Sequence, residues 1–191
     1  MVCAAALAAL AAIVRVGITH ELDRAGLQAT QSVANAALDV TVNLHTLVGL
    51  SYVTLPLAGA LALALHRRGH RAAALAPLLI AGTVLVELAL KLSTDHAPPG
   101  PETSRAFLLL VPSFETPSSF PSGHASAAFF AAGILTAATG RGLAPVWYST
   151  ATVVAASRAY VRIHHPSDVA GGAAVGALLG IVGLRVFKAV V

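Results

Sequence analysis

The stretch SFPSGHASAA, residues 119–128, sets a proline, a glycine and a histidine at the head of a long apolar run. That run, 122–139, approaches the ~20 residues a helix needs to cross a bilayer. A spanning helix does not require a histidine there. Proline suits a first helical turn, because its missing N–H would be unpaired in any case. Glycine lets a ligand come close to the backbone. The N–H groups of Ser122, Gly123 and His124 then face outward at the positive end of a helix dipole, which suits an anion. His124 sits beside that anion and can give it a proton. The same letters also fit a plain helix cap with a histidine at the membrane interface.

The rest of the chain sets the context. Of 191 residues, 57% are hydrophobic and 10% charged, with a mean hydropathy of +0.79. A soluble domain carries about 25% charged residues. The composition therefore predicts an all-α, polytopic membrane bundle, with residues 1–191 as one domain. The net charge of +4 does not imply nucleic-acid binding, because the arginines fall between apolar runs and form no stripe. The single cysteine, Cys3, excludes an internal disulfide. Six spans are expected, at 2–18, 46–65, 72–92, 122–139, 143–161 and 168–187. Arg67, Arg68 and Arg71 share one short connection, Arg141 lies in another, and Arg185 and Lys188 lie near the C-terminus. Cytoplasmic loops collect Lys and Arg, so these three ends are read as inside, and the connections 19–45, 93–120 and 162–167 as outside. The first of those is either an interfacial helix or a solvated linker.

Three polar clusters then fall on the outer side. Lys91 stands before LSTDHAPP, residues 92–99; PSGH is residues 121–124; SRAYVRIHHPSD is residues 157–168. Ionisable groups at such depth are costly and mostly functional. In the third cluster Pro166 is expected to open the last helix, with Asp168 in its first turn. A carboxylate there can accept Nδ1–H from His164 and leave Nε2 free as nucleophile or base. Arg158 can hold a phosphate or carboxylate with two donors. An Arg–Asp surface pair with incidental histidines reads the same letters, and His165 lacks the offset to Asp168. Glu87 and Lys91 stand four apart, the spacing of a helical ion pair, which leaves Lys91 open to a phosphate role. His96 and Arg105 lie in the outer loop. No HExxH, DxD or Cys/His cluster is present, so the motifs imply no metal.

These residues resemble the type 2 phosphatidic acid phosphatase superfamily of membrane lipid phosphatases, whose motifs are KxxxxxxRP, PSGH and SRxxxxxHxxxD. The second motif is intact at Pro121–His124. The third is intact at Ser157, Arg158, His164 and Asp168. The first is partial, since Lys91 is followed at the motif spacing by Pro98-Pro99 instead of Arg-Pro. The resemblance implies that His164 attacks phosphorus to form a phosphohistidine and that Asp168 orients it. His124 would protonate the leaving oxygen. Lys91, Ser122, Gly123 and Arg158 would hold the phosphate oxygens, with no cofactor or metal. Arg105, or less readily His96, is expected to supply the cation missing at Pro98. The implied partner is a lipid phosphate in the bilayer. A polyprenyl phosphate or diphosphate is the first choice; phosphatidylglycerophosphate and phosphatidic acid are the rivals. The missing arginine also fits a non-catalytic lipid-binding or flippase-like protein, although a carboxylate-braced histidine is not needed for binding alone.

Overall fold

The structure is a computed structural model that describes residues 2–46, 50–100, 103–107 and 118–188. The described residues form helices and no strand: α1 (Val2–Arg15), α2 (His20–Ser32), α3 (Ala36–Thr46), α4 (Ser51–Arg67), α5 (Leu75–Leu78), α6 (Ile80–Ser93), α7 (Gly123–Thr139), α8 (Ala144–Tyr160) and α9 (Pro166–Lys188). The start of the expected 46–65 segment, at 47–49, lies outside the described residues, as do 101–102 and 108–117 of the outer connection.

Among the described residues, two helices are long and apolar enough to cross a membrane, Leu75–Ser93 and Pro166–Phe187; a shorter apolar helix covers Val53–Arg67. The expected segment 2–18 stops early as a helix. Arg15 sits in its last turn, and Gly17 follows at φ +77°, a left-handed turn that glycine adopts freely. The expected 122–139 and 143–161 segments become α7 and α8, of 17 residues each. At 1.5 Å per residue each is about 26 Å long, just under the ~30 Å hydrocarbon thickness. The connection 19–45 is helical, as α2 and α3.

α7 and α9 form the tightest seam. Gly172, Gly176 and Gly180 recur every fourth residue of α9 and so share one face. A Cβ added to Gly172 would fall 2.2 Å from the carbonyl oxygen of Ser122, and one on Gly176 would fall 2.1 Å from that of Ser126. Small residues at this period let helix backbones touch, which is the usual way membrane helices pack. Deeper along α7, Phe130 and Ile134 pack with Ala127, Ala76 and Ile80, and Leu179 and Phe187 of α9 close the cluster.

Gly176→Ala tests the seam. Alanine favours a helix by up to about 1 kcal/mol over glycine, whereas forcing a methyl into a packed contact costs about 1–3 kcal/mol. The added carbon meets backbone on a second helix, which cannot swing aside. The substitution is expected to lower the melting temperature in detergent. An unchanged or higher melting temperature would show that α7 and α9 are not held this closely.

Candidate active site

The third motif acquires its shape from two local devices. At the end of α8, Arg162 takes a left-handed conformation with φ +58°. Ile163 N–H returns to the Arg158 carbonyl at 3.2 Å, and Arg162 N–H to that of Ala159 at 3.1 Å. This is a Schellman cap, although glycine is usual at the turning residue. His164 N–H also reaches the Arg158 carbonyl, at 3.3 Å, so the cap delivers His164 directly above Arg158. α9 then opens at Pro166, as expected. His165 is its cap residue: its carbonyl accepts from Val169 N–H at 3.2 Å, and its own N–H donates to Asp168 Oδ2 at 2.8 Å. That is the reaching-back half of a capping box.

Asp168 is fully buried and serves three partners besides the His165 N–H. Oδ2 lies 3.3 Å from His164 Nδ1. Oδ1 faces His96 Nε2 at 3.5 Å, too far for a good hydrogen bond. The backbone carbonyl accepts from Ser122 N–H at 2.9 Å, which ties the second motif to the third. One expected donor is thereby spent. Ser122 N–H is not free for an anion, and the residue is fully buried as the cap of α7, its hydroxyl 3.5 Å from Ala125 N.

The other expected residues converge on this point. Arg158 is fully buried, with Nε and Nη2 donating to Ser157 Oγ at 2.9 and 2.8 Å. Lys91 pairs with Glu87 at 3.3 Å. The Glu87 carboxylate lies against Gly123, where a Cβ would come within 2.4 Å of Oε2. Arg158, His164 and Lys91 all stand within electrostatic reach of the His124 ring. His124 Nε2 is buried with no hydrogen-bond partner. Arg158, Lys91 and the Asp168-braced His164 therefore lie near His124 at the N-terminus of α7.

Arg105 is placed elsewhere. Its Nη1 is 3.0 Å from Asp39 Oδ2 and its Nε 2.7 Å from Gln31 Oε1. Its backbone N–H donates to the Val161 carbonyl at 2.9 Å. It pins the 93–120 connection to α2, α3 and the end of α8; the guanidinium expected to stand in for the missing motif arginine is held here by Asp39 and Gln31. Pro98 is exposed. His96 does come to the site, but behind Asp168. Burial pushes its imidazole below the ordinary histidine range, against the pull of Asp168. His165 is not incidental, because its Nε2 bonds the Ala97 carbonyl at 3.1 Å.

Residues 72–191 match the model of the PAP2 superfamily. The chain belongs to that superfamily. The phosphatases of this family are membrane hydrolases acting on lipid phosphates. No curated protein sequence matches the chain. Among solved structures, the transmembrane PAP2-type phosphatidylglycerolphosphate phosphatase of Bacillus subtilis superposes with a TM-score of 0.79 at 23% identity, over 98% of this chain and 94% of that one. LpxE of Aquifex aeolicus superposes at 0.63, also at 23% identity, over 83% of this chain and 92% of its own. The PAP2 fold thus extends over α1–α4, ahead of the residues matched by the family model.

Asp23 escaped the sequence reading. It is buried on α2 and accepts both Ser167 N–H and Ser167 Oγ–H at 2.8 Å. It does for the first turn of α9 what a cap side chain normally does, from 144 positions away. No local signal marks it. Asp23→Ala strands two buried donors, at about 1–3 kcal/mol each when unpaired. It is expected to lower the melting temperature by several degrees, and Ser167→Ala, which leaves the backbone bond intact, by less. Equal or reversed effects would remove Asp23 from the support of α9.

Proposed function

We propose that the chain hydrolyses the phosphate of a membrane lipid phosphate through a phosphohistidine on His164. The observation that carries this is the bracing of His164 Nδ1 by the buried Asp168, which leaves Nε2 with its lone pair for attack. The P–O bond to the lipid breaks as the N–P bond forms. The leaving oxygen takes a proton from His124, whose Nε2 has no protein partner to compete. His124 then accepts a proton from water as the water oxygen attacks phosphorus and the N–P bond breaks. Lys91, Arg158 and the N–H groups of Gly123 and His124 stabilise the charge on the three phosphoryl oxygens, the main task in this chemistry. The motifs call for no metal in these steps.

Two lipid classes fit. A polyprenyl phosphate or diphosphate suits a site at the outer face, where carrier lipids are released. A phosphatidylglycerophosphate is the second reading, favoured by the structural likeness to the Bacillus subtilis enzyme over 98% of this chain. We read the chain as multi-pass, with the site on the extracytoplasmic side, from the basic loops at 66–71 and 139–142.

Purified protein is expected to release phosphate from a panel of these lipids, and His164→Ala to release none. Brief reaction with a 32P-labelled lipid should label wild-type protein with an acid-labile, base-stable group that is absent from His164→Ala. Label elsewhere, or undiminished turnover in that variant, would reject the nucleophile. A folded wild-type protein that binds the lipids and hydrolyses none would favour a binding or flippase-like role.

Orientation is tested separately. With Cys3 replaced, an impermeant thiol reagent applied to intact cells should label Ser104→Cys and leave Gly69→Cys unlabelled. The opposite pattern would turn the site to the cytoplasm.

A further inference from the structure

Behind Asp168 lies a cluster that the reaction above does not use. One donor atom each of Asp23, His96 and His165 lies within 4.8 Å of the others. Asp23 and His96 are 3% and 4% exposed, so these are interior groups. The His165 ring has its tautomer fixed. Nε2 meets the Ala97 carbonyl, which only accepts, so Nε2 carries the proton and Nδ1 carries a lone pair. That Nδ1 is buried and has no partner. His96 Nε2 is also buried and unpartnered. It is held 3.9 Å from Asp23 Oδ2 and 3.5 Å from Asp168 Oδ1, beyond a good hydrogen bond to either.

The unpartnered atoms here are His165 Nδ1, His96 Nε2 and Asp168 Oδ1, since both Asp23 oxygens already accept from Ser167. One bridging water could donate to His165 Nδ1 and Asp168 Oδ1 and accept from His96 Nε2–H. A divalent cation, with His96 in the tautomer that leaves Nε2 its lone pair, takes both imidazole nitrogens and an Asp23 oxygen. It also offsets the charge of two neighbouring buried carboxylates, which a water does not. Two imidazole nitrogens with carboxylate oxygens suit zinc and its neighbours in the first transition row; calcium and magnesium prefer oxygen alone. Ligands at ~2.0–2.1 Å on a tetrahedron stand about 3.3 Å apart; His96 Nε2 and Asp23 Oδ2 are 3.9 Å apart and all three donor atoms lie within 4.8 Å of one another, so an ion would draw them together. The Nε2–H···O=C bond of His165 is the outer support that metal-bound histidines ordinarily have.

We propose that Asp23, His96 and His165 form a binding site for a zinc-class divalent cation beside Asp168, and that loading the site slows the phosphatase. The slowing rests on the reading of His164 as nucleophile. A cation held by His96, whose Nε2 is 3.5 Å from Asp168 Oδ1, draws charge from the carboxylate that braces His164 Nδ1, so its Nε2 becomes a weaker nucleophile. The site is then an inhibitory one, set one carboxylate away from the reacting atoms.

The test uses the full chain in detergent after treatment with a chelator. Cobalt(II) titration is expected to give saturable visible bands of a four- or five-coordinate ion, and elemental analysis one zinc per chain after loading. His165→Ala should raise the cobalt Kd at least about tenfold, while His66→Ala and His70→Ala, in the exposed basic loop, should leave it unchanged. His96→Gln is a second ligand variant, read only where its melting curve shows a folded protein. Absence of saturable binding, or binding that survives in His165→Ala, overturns the site. Turnover is read within each variant as the ratio with and without zinc. Zinc should slow wild type about tenfold, the rate equivalent of one charge-assisted hydrogen bond, and should slow His165→Ala markedly less. Binding with no such difference overturns the inhibition and leaves the site standing. Loss of turnover without metal is a failure of the nucleophile reading, because the cobalt spectrum is recorded without substrate.

Discussion

Where α9 crosses α7, Gly172 and Gly176 bring their backbone against the carbonyl oxygens of Ser122 and Ser126. At that distance the Ser122 N–H can reach the Asp168 carbonyl. The bond fixes the first turn of one helix against the first turn of the other, and those turns carry His124 and the His164–Asp168 pair. Any side chain larger than hydrogen on this seam would separate His124 from His164, the acid and the nucleophile of the proposed reaction. The glycines weaken α9 as an isolated helix, and their place is explained by the contact they permit.

The site also holds its charges in an unusual balance. Arg158 and Asp168 are both fully buried, and leaving either without compensation would be expensive. Asp168 is answered by an imidazole, a backbone N–H and a second imidazole. Arg158 is answered in part by the hydroxyl of Ser157. Lys91 is met by Glu87. The proposed phosphate, entering beside Gly123, would replace this carboxylate as the partner of Lys91.

Support for that pocket comes from the N-terminal third. α2 caps α9 through Asp23. α3 holds Tyr160 and Arg105 through Asp39. These contacts anchor the outer loop and both sides of the α8–α9 turn, and give the amphipathic stretch 19–45 a mechanical task. It braces the turn in which the proposed nucleophile stands.

Much of this was legible in the letters. Composition gave the membrane class, and apolar runs located α4, the α5–α6 pair and α7–α9 to within about five residues, because helix boundaries follow apolar length and capping residues. His164–Asp168 and Glu87–Lys91 were legible too, since residues four apart on one turn meet wherever the helix is placed. The glycine period of α9 was in the sequence as well, and only its meaning was missing. Pairings between distant segments could not be read. Asp23 with Ser167, His96 with Asp168, and Asp39 with Arg105 join residues 144, 72 and 66 positions apart. Nothing local distinguishes Arg105 beside a phosphate from Arg105 beside Asp39. The sequence by itself determined which side chains are candidates for the chemistry and which local pairs they form. The tertiary structure decided which buried polar groups answer one another, because that depends on how several helices fill one volume, and no segment carries that information alone.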